Sequence, residues 1–313
     1  MKNVIIADKL SVTPVCLGAM NFGTYTDKAS SFDVLDAYVD RGGNFVDTSN
    51  NYAHWAPGAI GNESELLLGE WFRLRENREK IILATKVGYD RHGEGAGLSK
   101  AQIEYWCDQS LKNMNTDYID LYYAHVDDPS TPLEETLEAF DSLVKKGKVR
   151  ALGVSNYDTW RIAEAKNVAQ THGFTPYSVV QQRFSYLHTM GDVAPAYPFN
   201  EHVSRERMRL MKKYNLPLVA YSSLAKGGYE KVERMPGEYI LGKRLDAIKD
   251  MAREKGVSTS ALVVAWMVNL YRCEGFTRVI PLFGSSSVKH FVDNMSGMDI
   301  ALTDEEMEYL NKA

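Results

Sequence analysis

Short apolar strand patterns and amphipathic helix patterns alternate about eight times along this chain of 313 residues. The predicted strands are rich in β-branched and aromatic residues and occupy positions 15–18, 44–47, 81–86, 118–124, 149–154, 178–181, 216–221 and 278–281. Between them, apolar residues recur at helical spacing. Parallel strands need such helical crossovers, and eight repeats of the pattern predict a closed (β/α)8 TIM barrel of the α/β class.

The two ends of the chain extend this prediction. Residues 2–12 alternate weakly around Asp8 and Lys9, which predicts an N-terminal β-hairpin that caps the floor of the barrel. The patterns at 288–295 and 304–311 predict extra C-terminal helices. No linker, repeat or low-complexity stretch divides the chain, so residues 1–313 are expected to form one domain.

The alternative fold is a doubly wound open sheet. Its dinucleotide-binding forms carry a G-x-G-x-x-G turn after the first strand. The glycines at that point of this chain, Gly18 and Gly23, do not have that spacing. The glycine pattern therefore favours the barrel.

Composition limits the partners and the compartment. The formal net charge is -5 and no basic stripe is present, which argues against a nucleic-acid partner. No apolar run is long enough to span a bilayer, and the apolar stretch near the N-terminus is too short for a signal peptide. The three widely spaced cysteines form no metal or redox motif. We therefore expect reduced thiols and a cytoplasmic protein, and the sequence does not predict its oligomeric state.

Polar side chains lie at or just past the ends of three successive predicted strands. Asp47 ends one strand and Tyr52 follows five residues later. Lys86 ends the next strand, and His125 ends the one after it. Because the carboxyl ends of barrel strands share one rim, we expect these four side chains to lie together.

These four residue types suit proton transfer to a carbonyl group. A phenol has a pKa of about 10, and an adjacent ammonium such as Lys86 would lower the pKa of Tyr52. Asp47 would hold Lys86 by an ion pair. Tyr52 would give a proton to a carbonyl oxygen, and His125 would orient the carbonyl group. No protein nucleophile is needed if a bound cofactor supplies a hydride. Taken singly, each residue is more simply a cap, a solvated charge or a rim residue.

The chain resembles the aldo-keto reductase family along essentially its whole length. The segments that carry the resemblance are Leu17-Gly18-Ala19-Met20, Phe45-Val46-Asp47-Thr48-Ser49 with Tyr52, Gly61-x-Glu63-Ser64-Glu65-x3-Gly69, Ala84-Thr85-Lys86, Asp120-Leu121-Tyr122-Tyr123-Ala124-His125, and residues 146–156. The resemblance implies the barrel fold and a catalytic tetrad of Asp47, Tyr52, Lys86 and His125, with Tyr52 as general acid. It also implies hydride transfer between a nicotinamide cofactor and an aldehyde or ketone, or the corresponding alcohol, such as a sugar or an aryl alcohol.

The same resemblance implies a set of cofactor contacts. They are Met20, Asp47, Ser155, Asn156, Gln181, Tyr221, Ser222, Leu224, Lys226, Gly284, Ser286, His290 and Asn294. Ser155, Asn156 and Gln181, placed at strand ends, would bind the nicotinamide carboxamide. Tyr221 would stack on the nicotinamide ring, and the segment 222–226 would follow the pyrophosphate. Ser155 and Asn156 could equally cap a helix.

The choice between the two nicotinamide cofactors depends on the segment 284–290. Many members of the family place an arginine or lysine at the position of Gly284 or Ser286, where it pairs with the 2′-phosphate of NADP. Here only Lys289 and His290 remain nearby. Serine hydroxyls and a helix N-terminus can also hold a phosphate, so NADP(H) is expected, with NAD(H) as the alternative.

Loops after the strands would select the substrate. Aromatic residues in the segments 21–26, 52–60 and 184–199 suggest a pocket for a ring or a sugar face, although they could simply pack the loop tips. The segment 229–239 carries Pro236 and Gly237 and could close over the cofactor.

Two other classes of function fit parts of the pattern. In a metal-dependent barrel, Asp47, His125, Asp127 and Asp128 would be ligands, but Lys86 would place a cation in a cationic site. A redox sensor or accessory subunit would bind the cofactor with little turnover. Metal analysis and turnover measurements separate these two classes from a reductase.

Overall fold

The computed structural model describes residues 3–90, 96–190 and 201–313. Within these ranges the strands are β1 (Val4–Ile6), β2 (Leu10–Val12), β3 (Cys16–Gly18), β4 (Phe45–Asp47), β5 (Ile82–Val87), β6 (Ile119–Ala124), β7 (Val149–Ser155), β8 (Val179–Arg183), β9 (Leu218–Tyr221) and β10 (Val279–Phe283). The α-helices are α1 (Lys28–Asp40), α2 (Glu63–Arg75), α3 (Lys100–Asn113), α4 (Leu133–Lys145), α5 (Thr159–His172), α6 (Arg205–Lys213), α7 (Lys243–Lys255), α8 (Thr259–Asn269), α9 (Val288–Ser296) and α10 (Asp304–Lys312).

Strands β3 to β10 pair in sequence order, all in parallel, and close into an eight-stranded barrel. The barrel closes where β10 pairs with β3, with Leu17 opposite Phe283. Strands β1 and β2 form a separate antiparallel hairpin. The predicted (β/α)8 barrel with an N-terminal hairpin and extra C-terminal helices is therefore confirmed.

Apolar side chains fill the barrel in two layers. One layer lies between the strands and the surrounding helices. The other fills the barrel interior, where hairpin residues such as Ile6, Leu10 and Val12 pack with Cys16 and Phe45 from the barrel strands. The hairpin thus closes the N-terminal end of the barrel, so polar chemistry is confined to the opposite, C-terminal end.

Helix α1 begins at Lys28, because the Asp27 side chain caps it by accepting from the Ser30 backbone N–H. One strand boundary differs from the sequence prediction in a way that matters. Strand β8 continues to Arg183, so the prediction that Gln181 ends its strand is wrong. Backbone pairing with β9 carries the strand further than its apolar residues indicate.

Within the described ranges, no helix combines the length and the apolar character that crossing a membrane requires.

Candidate active site

Three of the predicted catalytic residues meet at the mouth of the barrel around the Lys86 ammonium. Lys86 Nζ donates to Asp47 Oδ1 at 2.5 Å, to the Thr48 carbonyl oxygen at 2.6 Å and to Tyr52 Oη at 2.8 Å. The side chains of Lys86 and Asp47 are fully buried. Burying a charge is tolerated only when it is paired and hydrogen-bonded, and these three contacts use all three ammonium protons.

Asp47 links this centre to the far side of the barrel. It is the last residue of β4, and its Oδ2 accepts a hydrogen bond of 2.8 Å from Gln181 Nε2 on β8. Its Oδ1 accepts from Lys86 and lies 3.4 Å from Tyr52 Oη. Both carboxylate oxygens are therefore occupied, which fixes the carboxylate and holds the Lys86 ammonium beneath Tyr52.

The Tyr52 phenol stays protonated in this arrangement. Burial raises the pKa of Tyr52 well above its usual range, and the negative charge of Asp47 raises it further. The expectation that Lys86 lowers the pKa of Tyr52 is therefore not met, because burial and Asp47 outweigh the ammonium. Burial also lowers the pKa of Lys86, partly offset by Asp47. A protonated phenol with an ammonium 2.8 Å from its oxygen suits a general acid.

His125 directly follows β6 and faces Tyr52 across the mouth. The centroids of the two rings are 6.0 Å apart. The imidazole Nδ1 lies 3.2 Å from Ser49 Oγ, and the His125 carbonyl oxygen accepts from Asn156 Nδ2 at 2.9 Å. Burial lowers the pKa of His125 well below its usual range, and the nearby Lys86 charge adds to this shift. The imidazole is therefore neutral at neutral pH.

The residues predicted to bind the carboxamide of a nicotinamide lie beside His125. Ser155 ends β7, and Asn156 Nδ2 donates to Ser155 Oγ at 3.0 Å. Asn156 Oδ1 accepts from Tyr221 Oη at 2.8 Å. Asn156 has a φ of 56°, in the left-handed region that asparagine tolerates better than most residues. Catalytic and cofactor candidates thus share one network of hydrogen bonds.

The segment after β9 also has an unusual backbone. Ser222, Ala225 and Lys226 all have φ between 46° and 56°. Leu224 is buried, whereas Ser222 and Lys226 are exposed. Non-glycine residues in the left-handed region concentrate at functional sites, where surrounding contacts maintain them.

The segment after β10 carries the remaining predicted cofactor residues. Ser286 and His290 are exposed, and Ser287 caps α9 by accepting from the His290 backbone N–H at 3.4 Å. Asn294 lies on α9 and is partly buried. Across the mouth, Met20 follows β3 and is 44% exposed. These residues therefore surround one end of the barrel.

Gly284 lies against the backbone of Gly18. A Cβ at residue 284 would lie well under 3.0 Å from the Gly18 carbonyl oxygen. No side chain fits there, so an arginine or lysine at this position would require the backbone to move. The close approach explains why this position of the chain lacks a basic residue.

Gly284→Ala is expected to destabilise the fold by about 1–3 kcal/mol, because a backbone oxygen cannot move as cheaply as a flexible side chain. Urea unfolding of the variant would measure this loss. Gly237→Ala is the matched control, since a Cβ there would meet nothing within 4 Å. Equal stability of the two variants would contradict the steric argument.

Sequence reasoning missed several residues that complete the site. The Thr48 carbonyl oxygen and the Ser49 hydroxyl, which contact Lys86 and His125, belong to a segment where only Asp47 and Tyr52 were singled out. Gln182 was also missed, although its Oε1 accepts from the Asn156 backbone N–H at 3.1 Å. The sequence did contain a signal for Gln182. Neighbouring strand residues face opposite sides of the sheet, so Gln181 and Gln182 present their amides to different sides.

The mouth is lined in part by aromatic side chains. Tyr25 and Trp55 are 61% and 44% exposed, and the Trp55 ring lies 6.4 Å from that of Tyr52. In contrast, Phe22 and Tyr186 are buried and pack in the core. Tyr197, an aromatic residue of the predicted pocket segment 184–199, lies outside the described residues.

The proposed metal ligands have other partners. Asp127 pairs with Arg161 at 3.2 Å, and Asp128 Oδ2 accepts from the Leu98 backbone N–H at 2.7 Å. Within residues 3–90, 96–190 and 201–313, no group of three or more His, Cys, Asp or Glu side chains could hold a metal ion.

Comparison with known proteins agrees with the fold. The sequence model of the aldo/keto reductase family matches residues 14–313. An aldo-keto reductase of Emericella nidulans and the norsolorinic acid reductase of Aspergillus flavus are each 29% identical, over 96% of this chain and 78% of theirs. A putative aryl-alcohol dehydrogenase of Saccharomyces cerevisiae is 28% identical, over 96% of this chain and 83% of its own. Because the family model covers nearly all of the sequence, this chain belongs to the aldo/keto reductase family of oxidoreductases.

Proposed function

We propose that this protein transfers a hydride between a nicotinamide cofactor and a carbonyl–alcohol pair, with Tyr52 as the general acid. The observation that carries the proposal is the position of the Lys86 ammonium, which contacts both Asp47 and Tyr52 at the mouth of the barrel. A bound nicotinamide would supply or accept the hydride. The protein itself then has to transfer one proton and orient the substrate.

Tyr52 donates its proton to the substrate oxygen as negative charge develops there. The proton leaves a phenolate beside the Lys86 ammonium, and this opposite charge stabilises the product side of the transfer. Asp47 and the Thr48 carbonyl oxygen keep the ammonium in place during the step. In the reverse direction the phenolate accepts the proton of an alcohol.

The residues around the mouth fit a dinucleotide cofactor. Ser155, Asn156 and Gln181 offer both donors and acceptors, as an amide of the cofactor needs. Tyr221 offers an aromatic ring that is partly exposed.

For the adenosine end we propose NADP(H), with NAD(H) as the alternative. Ser285 to Ser287 and the N-terminus of α9 offer hydroxyl and backbone N–H donors to a phosphate. We expect Ser286→Arg to favour NADPH over NADH by tenfold or more, because a charge-assisted hydrogen bond contributes about 1.5–3 kcal/mol. Fluorescence titration with each nucleotide measures the ratio. Ser286→Gln supplies length without charge, and an equal gain with glutamine would contradict a charge effect.

For the substrate we propose an aromatic aldehyde, aromatic ketone or aryl alcohol. Two of the similar proteins are named for norsolorinic acid and for aryl alcohols. The exposed ring of Trp55, whose centroid lies 6.4 Å from that of Tyr52, favours stacking with an aromatic group.

The test is titration with NADPH and with NADH, followed by turnover on a panel of aryl aldehydes, ketones and sugars. Tight binding with turnover on the aryl compounds supports the proposal. Tight binding without turnover on any member of the panel would favour a cofactor-binding sensor or accessory subunit. Failure to bind either nucleotide would overturn the proposed function.

A further inference from the structure

A buried glutamine on β8 is fixed between two backbone groups, on the side of the strand that faces away from the barrel interior. Gln181 faces the interior, where it donates to Asp47, so its neighbour Gln182 faces the opposite side. Gln182 Oε1 accepts from the Asn156 backbone N–H at 3.1 Å, and Gln182 Nε2 donates to the Glu201 carbonyl oxygen at 2.8 Å. Because a backbone N–H only donates and a carbonyl oxygen only accepts, the Gln182 amide has one allowed orientation.

Gln182 holds Asn156 both by its backbone and by its side chain. Besides accepting from the Asn156 N–H, it donates from Nε2 to Asn156 Oδ1 at 3.4 Å. Asn156 has a φ of 56°, and a residue in the left-handed region keeps that conformation only where surrounding contacts maintain it. Gln182 supplies such contacts from the neighbouring strand.

Asn156 transmits this fixed position to Tyr221. Asn156 Nδ2 donates to the His125 carbonyl oxygen at 2.9 Å, which can only accept, so Asn156 Oδ1 must face the other way. That oxygen accepts from Tyr221 Oη at 2.8 Å. Burial raises the pKa of Tyr221 above its usual range, so the phenol keeps the proton that it donates. The position of the Tyr221 ring therefore depends on Asn156.

We propose that Gln182 is a positioning residue that acts on the nicotinamide ring of the cofactor through Asn156 and Tyr221. It holds the Tyr221 phenol in the place from which the aromatic ring stacks on the nicotinamide. This inference rests on the proposed function, which assigns Tyr221 to the cofactor. The adenosine end is assigned to the segment after β10, which none of the Gln182 hydrogen bonds reaches. Gln182 should therefore affect binding of the nicotinamide and not of the adenosine end.

A purely structural role for Gln182 is the alternative. Its bond to the Glu201 carbonyl oxygen also ties β8 to the segment that leads into α6. Loss of this tie alone would disturb the rim of the barrel and weaken the whole cofactor, whichever of its parts is present. The two roles therefore differ in the part of the cofactor that is affected.

Gln182→Met tests this difference, because methionine has a similar length and no hydrogen-bonding amide. Isothermal titration calorimetry measures binding of NADPH and of 2′-phospho-ADP-ribose, which lacks the nicotinamide; NADH and ADP-ribose form the matching pair for NAD(H). We expect the affinity for the complete cofactor to fall between about twofold and tenfold, the range of one aromatic stacking contact, and the affinity for the fragment to stay unchanged.

Gln170→Met, at an exposed position of α5, is the matched control and should leave both affinities unchanged. Equal weakening of the complete cofactor and the fragment by Gln182→Met would show a structural role and overturn the proposal. An unchanged affinity for both ligands would overturn it as well.

A double-mutant cycle with Tyr221→Phe shows whether the effect passes through Tyr221. Phenylalanine keeps the ring and removes the hydroxyl that donates to Asn156. In this background Gln182→Met should weaken binding of the complete cofactor no further. An additive loss would show that Gln182 acts by another route, against the proposal.

A crystal structure of ligand-free Gln182→Met tests the positioning without any cofactor. Tyr221 Oη should no longer lie within hydrogen-bonding distance of Asn156 Oδ1, and an unchanged contact would overturn the proposal. If Gln182→Met does not fold, Gln182→Glu replaces it, since a carboxylate still accepts from the Asn156 N–H but donates no hydrogen bond; it should separate the two ligands in the same direction. Failure of the proposed function would instead appear as no binding of NADPH or NADH to the unaltered protein, with the crystallographic result unchanged.

Discussion

Tyr52→Phe is expected to lower kcat by about 10²–10⁴-fold while leaving the affinity for the nicotinamide cofactor nearly unchanged. The variant keeps the aromatic ring and removes only the hydroxyl that contacts Lys86 Nζ at 2.8 Å. Without the Tyr52 hydroxyl, the site lacks the proton that would neutralise the alkoxide developing on the substrate. Single-turnover measurements with saturating cofactor separate this chemical step from binding and release.

Tyr25→Phe is the matched control for this prediction. Tyr25 is another tyrosine at the mouth, but its side chain is 61% exposed and lies outside the Lys86 hydrogen bonds. Removing its hydroxyl should change kcat only severalfold. If Tyr52→Phe behaved like this control, Tyr52 would not be the acid, and another proton donor would have to be sought.

Lys86→Met is expected to abolish most activity and also to destabilise the protein by about 3–5 kcal/mol. The side chains of Lys86 and Asp47 are completely buried, so removal of the ammonium leaves the Asp47 carboxylate without its counter-charge. Gln181, through the 2.8 Å bond to Oδ2, and the more distant Tyr52 hydroxyl, 3.4 Å from Oδ1, would then hold that carboxylate. Urea unfolding measures the loss of stability, and single-turnover kinetics measures the loss of activity.

The double variant Asp47→Asn/Lys86→Met distinguishes the two effects. It removes both charges, so a substantial part of the lost stability should return. Activity should remain low, because Tyr52 still lacks the neighbouring ammonium. Recovery of activity together with stability would show that Lys86 serves folding only and takes no part in proton transfer.

Sequence alone located the centre of the candidate site because each of its residues is tied to a strand end. Asp47, Lys86 and His125 were placed by counting along three apolar runs, and the rule that parallel strand ends share a rim brought them together. Tyr52 followed from its distance to Asp47. These placements need only local patterns and one topological rule.

What the sequence did not show depends on contacts between side chains distant along the chain. The Gln181 bond to Asp47 joins β8 to β4, and the Ser49 contact to His125 joins two loops. The pKa of Tyr52 was expected to fall because only the neighbouring charge was considered. Burial, which depends on the whole fold, shifts it in the opposite direction.

The meeting of Gly18 and Gly284 has a consequence for the order in which the protein is made. Residue 17 pairs with residue 283, so the last barrel strand to leave the ribosome closes against the first. Until β10 has emerged, the barrel has an open edge and Ser286 and His290 have no fixed place. A nascent chain could therefore assemble the Asp47–Lys86–Tyr52 centre before it has any surface for the adenosine end of the cofactor. The ability to hold a dinucleotide would then arise late, only after β10 and α9 have been synthesised.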